Sequence, residues 1–432
     1  MYSILFNIIE RCSDLFQGMN RKRFEPSPAT VAATVGLLAL ASAMGIGRFS
    51  LTPIMPLMQH DMGLTLAQGG WLATANYLGY LTGALICMAW VSRPVPAIRF
   101  GLVCVAAFTL TMAGNEGLPL WVTFRFLAGL ASAFVLVGIS AWAMPILATH
   151  DKARWSGRVF AGVGVGIAFA GLLGLVASLQ GWGSRAAWMA LGVVAAILAV
   201  LLRKPLAMEG ARPVSASQAR ASMPRRVFVV AACYGVFGYG YIIPATFLPA
   251  QARGYIDDPV VFGWIWPLFG TAAAMSTLVA ARLGRRLSPR QLWTRAQWVL
   301  AAGVLAPVIS IDMMTLLIAS MCVGGTFMVI TMAGIKELLR IDAPQAARGV
   351  GMMTAAFAAG QIAGPLTVSL FGGSSNAIAI PSIIAASALV VGNLVLLSDR
   401  SSAEATYDFR PGVRHPFRSA VERRPNAADP TV

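Results

Sequence analysis

The chain has 432 residues, of which 57% are hydrophobic and only 12% are charged, and its mean hydropathy is +0.71. Soluble domains contain roughly 25% charged residues, so this composition excludes an ordinary soluble protein. Apolar stretches of about 20 residues, the length that crosses a bilayer, recur along the chain, and they predict an all-α polytopic membrane protein.

The net charge of +16 would suit a nucleic-acid partner, but the positions of the charges favour another explanation. Nearly all of the 33 Lys and Arg residues lie in the tails or at alternate loops and span ends. The exceptions are two residues inside spans, Arg48 and Arg125, and two at the opposite loops, Arg185 and Arg253. This positive-inside pattern predicts a bacterial inner-membrane protein with both termini cytoplasmic and with no nucleic-acid partner.

Cysteine and histidine give no indication of a metal or redox site. The five cysteines are scattered, and His60, His150 and His415 lie in loops or in the tail without paired acids. We therefore predict no metal, no cofactor and no catalytic residue. A membrane enzyme, a non-transporting sensor and a passive channel remain as alternatives.

The predicted elements divide the first half of the chain into a short segment and a bundle. Residues 1–27 are a cytoplasmic segment, either an interfacial helix or an extension before Met19, because they are too charged to span a membrane. The N-terminal six-helix bundle covers 28–202. Its spans are predicted near 29–58, 66–91, 96–114, 119–146, 157–179 and 184–202.

The second half repeats this organisation. Residues 203–226 are basic and rich in Pro, Ala and Ser, which predicts a flexible cytoplasmic linker. A C-terminal six-helix bundle covers 227–397, and a polar tail at 398–432 is predicted to be disordered. The spans of this bundle are predicted near 227–250, 260–282, 290–311, 313–338, 349–371 and 377–397.

The two halves share a weak internal repeat. At an offset of 193 residues, Gly45-x-Gly47 in the first span corresponds to Gly238-x-Gly240 in the seventh. Glycine matches occur by chance in apolar spans, but together with the equal numbers of spans they favour a duplicated six-helix unit. Transporters built in this way place the substrate site between the halves, near mid-membrane.

Two arginines inside the spans are the main functional signal. The stretch "GIGRFSLTPIMPLM" places Arg48 deep in the first span, and "LWVTFRFLAGLASAF" places Arg125 in the fourth. Such a charge costs at least ~2.5–3.5 kcal/mol, so it faces a bundle interior or a water-filled cavity. All 17 Asp and Glu residues lie in loops, tails or span ends, so the missing counter-charge points to an anionic substrate. Alternatively, both arginines are structural and bind backbone carbonyl groups near the prolines.

Polar and aromatic residues complete the predicted site. Tyrosine combines an apolar face with one hydrogen-bonding group, which suits an amphiphilic small molecule, although aromatic residues in spans also serve packing. Helical spacing places Thr52 on the same face as Arg48, and Gln361 either contacts substrate or bridges helices. The predicted substrate-binding set is Arg48, Thr52, Asn76, Tyr80, Arg125, Tyr234, Tyr239, Tyr241 and Gln361.

Small residues and prolines form a second predicted set, with a role in helix packing or gating. Glycine allows helices to approach closely, and proline interrupts the helical hydrogen bonds. This set is Gly45, Gly47, Pro53, Pro56, Gly129, Gly162, Gly166, Gly360, Gly364 and Pro365.

Several stretches resemble the major facilitator superfamily, and within it the YbfB/YjiJ-type branch: "GIGRFSLTPIMPLM", "GGWLATANYLGYLTGAL", "RFLAGLASA", "GYGYIIPATFLPA" and "FAAGQIAGP". The resemblance implies two six-helix bundles around a central cavity lined by spans 1, 4, 7 and 10, with alternating access. It also makes Arg125 the counterpart of the superfamily's fourth-span arginine, which is linked to proton coupling.

The sequence departs from the superfamily pattern at three places. The loop after the second span, "CMAWVSRPVPAIRFG", lacks the usual acidic residue. The loop after the eighth, "VAARLGRRLS", keeps Arg282, Arg285 and Arg286 but has Ala281 where an Asp is common. The fifth span lacks the Gly-Pro signature of drug/proton antiporters. These departures argue against charge-relay gating and against multidrug efflux.

Together, these features predict a monomeric secondary transporter that moves a small organic solute, preferentially an organic anion, through the lipid membrane by alternating access. Proton coupling is an optional part of this prediction. The alternative is an exporter of amphiphilic or neutral compounds, which the tyrosine and methionine side chains would recognise.

Overall fold

The computed structural model describes residues 26–90, 93–114, 117–207, 222–253, 263–310, 312–371 and 378–398. Nearly all of the predicted N-terminal segment, most of the predicted linker and nearly all of the predicted tail lie outside these residues. The described chain is helical, with short turns between the helices.

Long helices, labelled α1 to α12 in chain order, follow the predicted spans closely. In the first half they are α1 (Pro28–Asp61), α2 (Leu66–Trp90), α3 (Pro94–Thr111), α4 (Leu118–Thr149), α5 (Ser156–Leu179) and α6 (Ser184–Leu202). In the second half they are α7 (Arg225–Arg253), α8 (Ile265–Leu283), α9 (Pro289–Ile309), α10 (Met313–Ile341), α11 (Ala346–Leu370) and α12 (Ala379–Ser398).

Membrane-spanning character is strong along the described chain. There, 10 helices are long and apolar enough to cross a bilayer. The other two, α8 and α11, fall short of that combination, and α11 contains the polar Gln361 and the helix breaker Pro365. The helices are therefore consistent with the twelve predicted spans, and the all-α membrane fold is confirmed.

The same helix pairs pack in each half. Helix α1 packs on α5 as α7 packs on α11, and α2 packs on α4 as α8 packs on α10. Glycine brings these pairs together: Gly162 lies against the Leu37 carbonyl group in the first half, and Gly360 lies against the Gly235 carbonyl group in the second. The repeated pairing is the pseudo-symmetry that the sequence repeat predicts.

Two helix pairs make the most extensive contacts between the halves. Helix α5 lies along α8, where Gly164 contacts the backbone of Ala274, and α2 lies along α11, where Gly351 contacts the backbone of Met88. In these pairs a side chain larger than hydrogen at the glycine would meet backbone atoms, so the two helices pack directly on each other. Residues of both halves therefore meet in the interior between α1, α2, α7 and α11.

Candidate functional site

The first helix is interrupted at the residues that the sequence singles out. Ordinary α-helix ends at Leu40, Ala41–Ile46 form a π-helix, residues 47–50 form a turn, and α-helix resumes at Leu51. The Gly47 amide donates to the Ser42 carbonyl oxygen at 2.9 Å, a bond with the wider spacing of a π-turn. Pro53 has no amide hydrogen to donate to the preceding turn. The interruption therefore presents backbone carbonyl groups to side chains of other helices.

Arg125 binds this interruption. Its Nη1 donates to the Gly47 carbonyl oxygen at 3.0 Å, and its Nη2 donates to the Arg48 carbonyl oxygen at 2.7 Å. The side chain is 2% exposed. Asn76 donates in turn to the carbonyl oxygen of Arg125 at 2.9 Å, which ties α2 to α4. This geometry matches the structural alternative for Arg125, in which the guanidinium group stabilises the broken α1.

Arg48 has a different environment, made of aromatic rings. Its guanidinium carbon lies 3.8 Å from the centre of the Tyr80 ring. The rings of Phe49, Tyr77 and Phe357 lie 5.3, 5.7 and 5.8 Å away. Ring faces attract cations, and this attraction increases when water is excluded. The four rings therefore offset part of the cost of burying the charge.

Arg48 also joins the two halves of the molecule. Its Nη2 donates to Oε1 of Gln361 in α11, and both side chains are buried. The Nε and Nη1 atoms of Arg48 and the Nε2 atom of Gln361 have no hydrogen-bond partner within the described chain. No described carboxylate pairs with Arg48. The cluster thus holds a buried cation with unused hydrogen-bond donors.

Aromatic residues of α7 and α10 extend the cluster. Tyr234 donates from its hydroxyl group to Thr331 at 2.9 Å, and its ring lies 5.2 Å from that of Phe357. Tyr241 stacks on Phe327 at 5.1 Å, and its buried hydroxyl group has no partner among the described residues. Two of the predicted tyrosines are therefore linked to the Arg48 cluster through shared ring contacts.

Two predicted substrate-binding residues lie elsewhere. Thr52 lines a separate cavity of about 100 Å³ with Gly171 of α5 and Trp266 of α8. The expectation that Thr52 shares a face with Arg48 assumes regular helical spacing, which does not hold across the turn at residues 47–50. Tyr239 is half-buried beside Gly360 and is not among the rings that surround Arg48.

The sequence prediction missed residues that contact Arg48 directly. Tyr77 lies three residues before Tyr80, and Phe357 lies four residues before Gln361, so each shares a helical face with a residue that was predicted. Adding the i−3 and i−4 aromatic neighbours of each polar candidate would have identified both. Phe49 follows Arg48 directly, and only the turn brings its ring under the guanidinium group.

The predicted packing residues lie at helix contacts or breaks. A Cβ atom on Gly45 would overlap the backbone of Gly166, and one on Gly129 would overlap the backbone of Asn76. The other glycines of the set also face a neighbouring helix: Gly47, Gly162, Gly360 and Gly364. The prolines lie along the cavity of Thr52 or inside α11: Pro53, Pro56 and Pro365.

The chemical groups available at the cluster are few. The described part of the chain contains no group of three His, Cys, Asp or Glu residues that could hold a metal ion. The buried acid of α10, Glu337, is paired with Arg340 at 2.8 Å. The Arg48 cluster supplies a buried cation with unused hydrogen-bond donors, and the ring faces around it contact that cation.

A family model and two relatives match most of the chain. The family model described as "Uncharacterised MFS-type transporter YbfB" matches residues 40–397. The chloramphenicol resistance protein of Streptomyces lividans is 28% identical over 356 residues, 77% of this chain and 87% of that protein. A probable transporter of Streptomyces coelicolor is 27% identical over 376 residues, 80% of this chain and 83% of that protein.

Among solved structures, the human organic anion transporter MFSD10 (TETRAN) superposes with a TM-score of 0.67. The match covers 86% of this chain and 100% of that chain, at 13% sequence identity. At this identity, the similarity concerns the fold.

Proposed function

The chain belongs to the family of YbfB-type transporters of the major facilitator superfamily, and from that premise we propose that it moves a small organic anion by alternating access between its two halves. The observation that supports the anion is Arg48, which is 3% exposed and lacks a described carboxylate partner. We propose Arg48, Tyr80 and Gln361 as the centre of the substrate site.

The energetics of a buried charge favour an anionic ligand. A buried guanidinium group loses its hydration, and one amide oxygen and four ring faces replace only part of it. A carboxylate brought into the cluster would bind the free Nε and Nη1 donors. Removing one partner of such a desolvated pair costs about 2–5 kcal/mol in other complexes, so Arg48 would dominate affinity.

The link between Arg48 and Gln361 suggests how binding and conformation are coupled. The two residues belong to α1 and α11, so their hydrogen bond holds the halves together on one side of the cluster. An anion that binds the free Nε and Nη1 atoms would partly neutralise the guanidinium group and so weaken its hydrogen bond from Nη2 to Gln361. Binding would therefore change the relative stability of the closed and open arrangements, as alternating access requires.

A ligand screen tests the proposal. The purified protein is heated with a panel of small carboxylates and, in parallel, with the uncharged amide of each acid. A ligand present at about 100 times its Kd adds about 2.7 kcal/mol of stability. We expect carboxylates, but not their amides, to raise the unfolding temperature, and we expect Arg48→Gln to remove the effect. The matched control is Arg185→Gln, because Arg185 is exposed at the start of α6. Equal stabilisation of wild type and Arg48→Gln would refute the role of Arg48.

Export of neutral or amphiphilic compounds is the second candidate. The aromatic surroundings of Arg48 and the relative named for chloramphenicol resistance favour it. In this case chloramphenicol and the amides would stabilise wild type and Arg48→Gln equally. The same screen therefore separates the two functions.

We also propose that the protein is a monomer in a bacterial inner membrane, with both termini cytoplasmic. The distribution of basic residues along the sequence supports the orientation of the termini. Proton coupling needs a titratable group in the transport path, and Glu337 already pairs with Arg340. Uptake into proteoliposomes with and without an imposed pH gradient measures the coupling directly, and gradient-dependent accumulation would add the proton to the mechanism.

A further inference from the structure

A second basic site lies outside the Arg48 cluster. A cavity of about 960 Å³ opens between the start of α5 and the end of α8, at the side that the sequence predicts to face the cytoplasm. We call it the arginine pocket and define it by the five arginines that line it: Arg154, Arg158, Arg282, Arg285 and Arg286.

The charges of the arginine pocket are not balanced within the described protein. The lining contains no Asp or Glu, and none of the five guanidinium groups forms an ion pair with a described residue. Arg158 stacks over Trp155 at 4.3 Å, and Lys152 lies 5.6 Å from the same ring. These cations repel one another, so an anion bound among them would be stabilised.

The wall of the pocket is apolar and faces outward. Val279 and Leu283, on α8, are 48% and 46% exposed and line the pocket beside the arginines. Exposed apolar side chains on a membrane-spanning helix are in contact with lipid chains. Trp155, at the same level, has the amphipathic ring that is enriched at membrane interfaces. The pocket is therefore lined by arginine side chains and, beside them, by the apolar side chains of Val279 and Leu283.

We propose that the arginine pocket binds the headgroup of an anionic phospholipid. Arginine matches the geometry of a phosphate group, and basic pockets between helices on the cytoplasmic side suit such headgroups. The acyl chains would lie along Val279 and Leu283. The apolar side chains favour a lipid over free phosphate, because free phosphate would contact the arginines alone.

A lipid in this position would contact both halves of the protein. Arg154 and Arg158 come from the first half, and Arg282, Arg285 and Arg286 come from the second. Beside the pocket, Gly157 packs directly against Ala281, so the two helices touch without a charged pair between them. The bound phosphodiester supplies the negative charge that holds the inner ends of α5 and α8 together.

Native mass spectrometry of the full-length protein tests this site. The protein is extracted from nanodiscs of phosphatidylcholine containing phosphatidylglycerol, and the retained phosphatidylglycerol is counted. We expect Arg158→Gln/Arg285→Gln to retain it about tenfold more weakly than wild type. The charge-matched control is Arg203→Gln/Arg295→Gln, which removes two exposed arginines outside the pocket and is expected to behave as wild type.

Three results would overturn the proposal. Equal retention by the pocket variant and wild type would exclude the pocket, and equal loss in the control variant would indicate a general charge effect. Displacement of phosphatidylglycerol by glycerophosphoglycerol at comparable concentrations would identify a site for free phosphodiesters rather than for lipid. A thermal unfolding temperature in pure phosphatidylcholine equal to that of wild type shows that the double variant Arg158→Gln/Arg285→Gln is folded. If the double variant is unstable, the single variant Arg285→Gln is used in its place.

Discussion

Replacing Arg125 by alanine separates the two roles that buried arginines have in this protein. The substitution removes the two hydrogen bonds to the carbonyl groups of Gly47 and Arg48, at 3.0 and 2.7 Å. Without Arg125, these two carbonyl groups in the interruption of α1 would lose their side-chain hydrogen-bond donor. Arg48→Ala, in contrast, removes a single bond to Gln361 and leaves the backbone of α1 satisfied as before.

The expected magnitudes follow from these contacts. An unsatisfied buried carbonyl group costs about 1–3 kcal/mol, so Arg125→Ala leaves a gross cost of about 2–6 kcal/mol. Relief of the desolvation of the guanidinium group offsets part of this cost. We expect a net loss of about 3 kcal/mol in the free energy of unfolding. Arg48→Ala leaves one buried acceptor, Oε1 of Gln361, without a donor, and it also removes a desolvated guanidinium group. We therefore expect the free energy of unfolding to fall by about 1 kcal/mol or less.

Denaturant titration in mixed micelles measures both losses, with Arg185→Ala as the control for an exposed arginine. We expect the control to change the free energy of unfolding by about 0.5 kcal/mol or less. Ligand binding should show the opposite order for the two buried arginines, with Arg48→Ala more damaging than Arg125→Ala. If Arg125→Ala were as stable as the control, or if Arg48→Ala destabilised as much as Arg125→Ala, the division into a structural and a ligand-binding arginine would be refuted.

Three further substitutions test neighbouring parts of the site. Gln361→Glu places a carboxylate beside Arg48 and should abolish stabilisation by carboxylates in the thermal screen; unchanged carboxylate responses would contradict it. Tyr80→Leu removes the ring 3.8 Å from the guanidinium carbon and should weaken carboxylate binding by about tenfold in the same thermal screen, whereas Tyr80→Phe should retain it. Gly129→Ala brings a Cβ atom into the backbone of Asn76 and should lower the free energy of unfolding by about 1–3 kcal/mol in the same titration; an unchanged value would mean that α2 and α4 separate easily.

The fold could be predicted from local properties of the chain. The length of each apolar stretch and its hydropathy depend on nearby residues alone, so α1 to α12 fall close to the predicted spans. The internal repeat also has a physical counterpart, because glycines at corresponding places bring α1 to α5 and α7 to α11. The family could be recognised from the same stretches.

The arrangement around the two arginines could be predicted only in part. A buried cation without a nearby acid was evident from the sequence, and so was the alternative that an arginine binds backbone carbonyl groups. Which alternative applies to which arginine depends on the turn at 47–50, where helical spacing fails. The expectation that Thr52 shares a face with Arg48 assumed regular helical spacing across the same turn.

The sequence by itself determined the membrane class, the predicted spans, the family and the unusual position of Arg48, because each depends on local composition or on short motifs. Only the tertiary structure decided that Arg125 binds the broken α1, that Arg48 reaches Gln361 across 313 residues, and that five arginines at the adjoining ends of α5 and α8 share one pocket. Such contacts depend on which helices are neighbours and on how each is rotated, and a single hydropathy pattern carries no information about either.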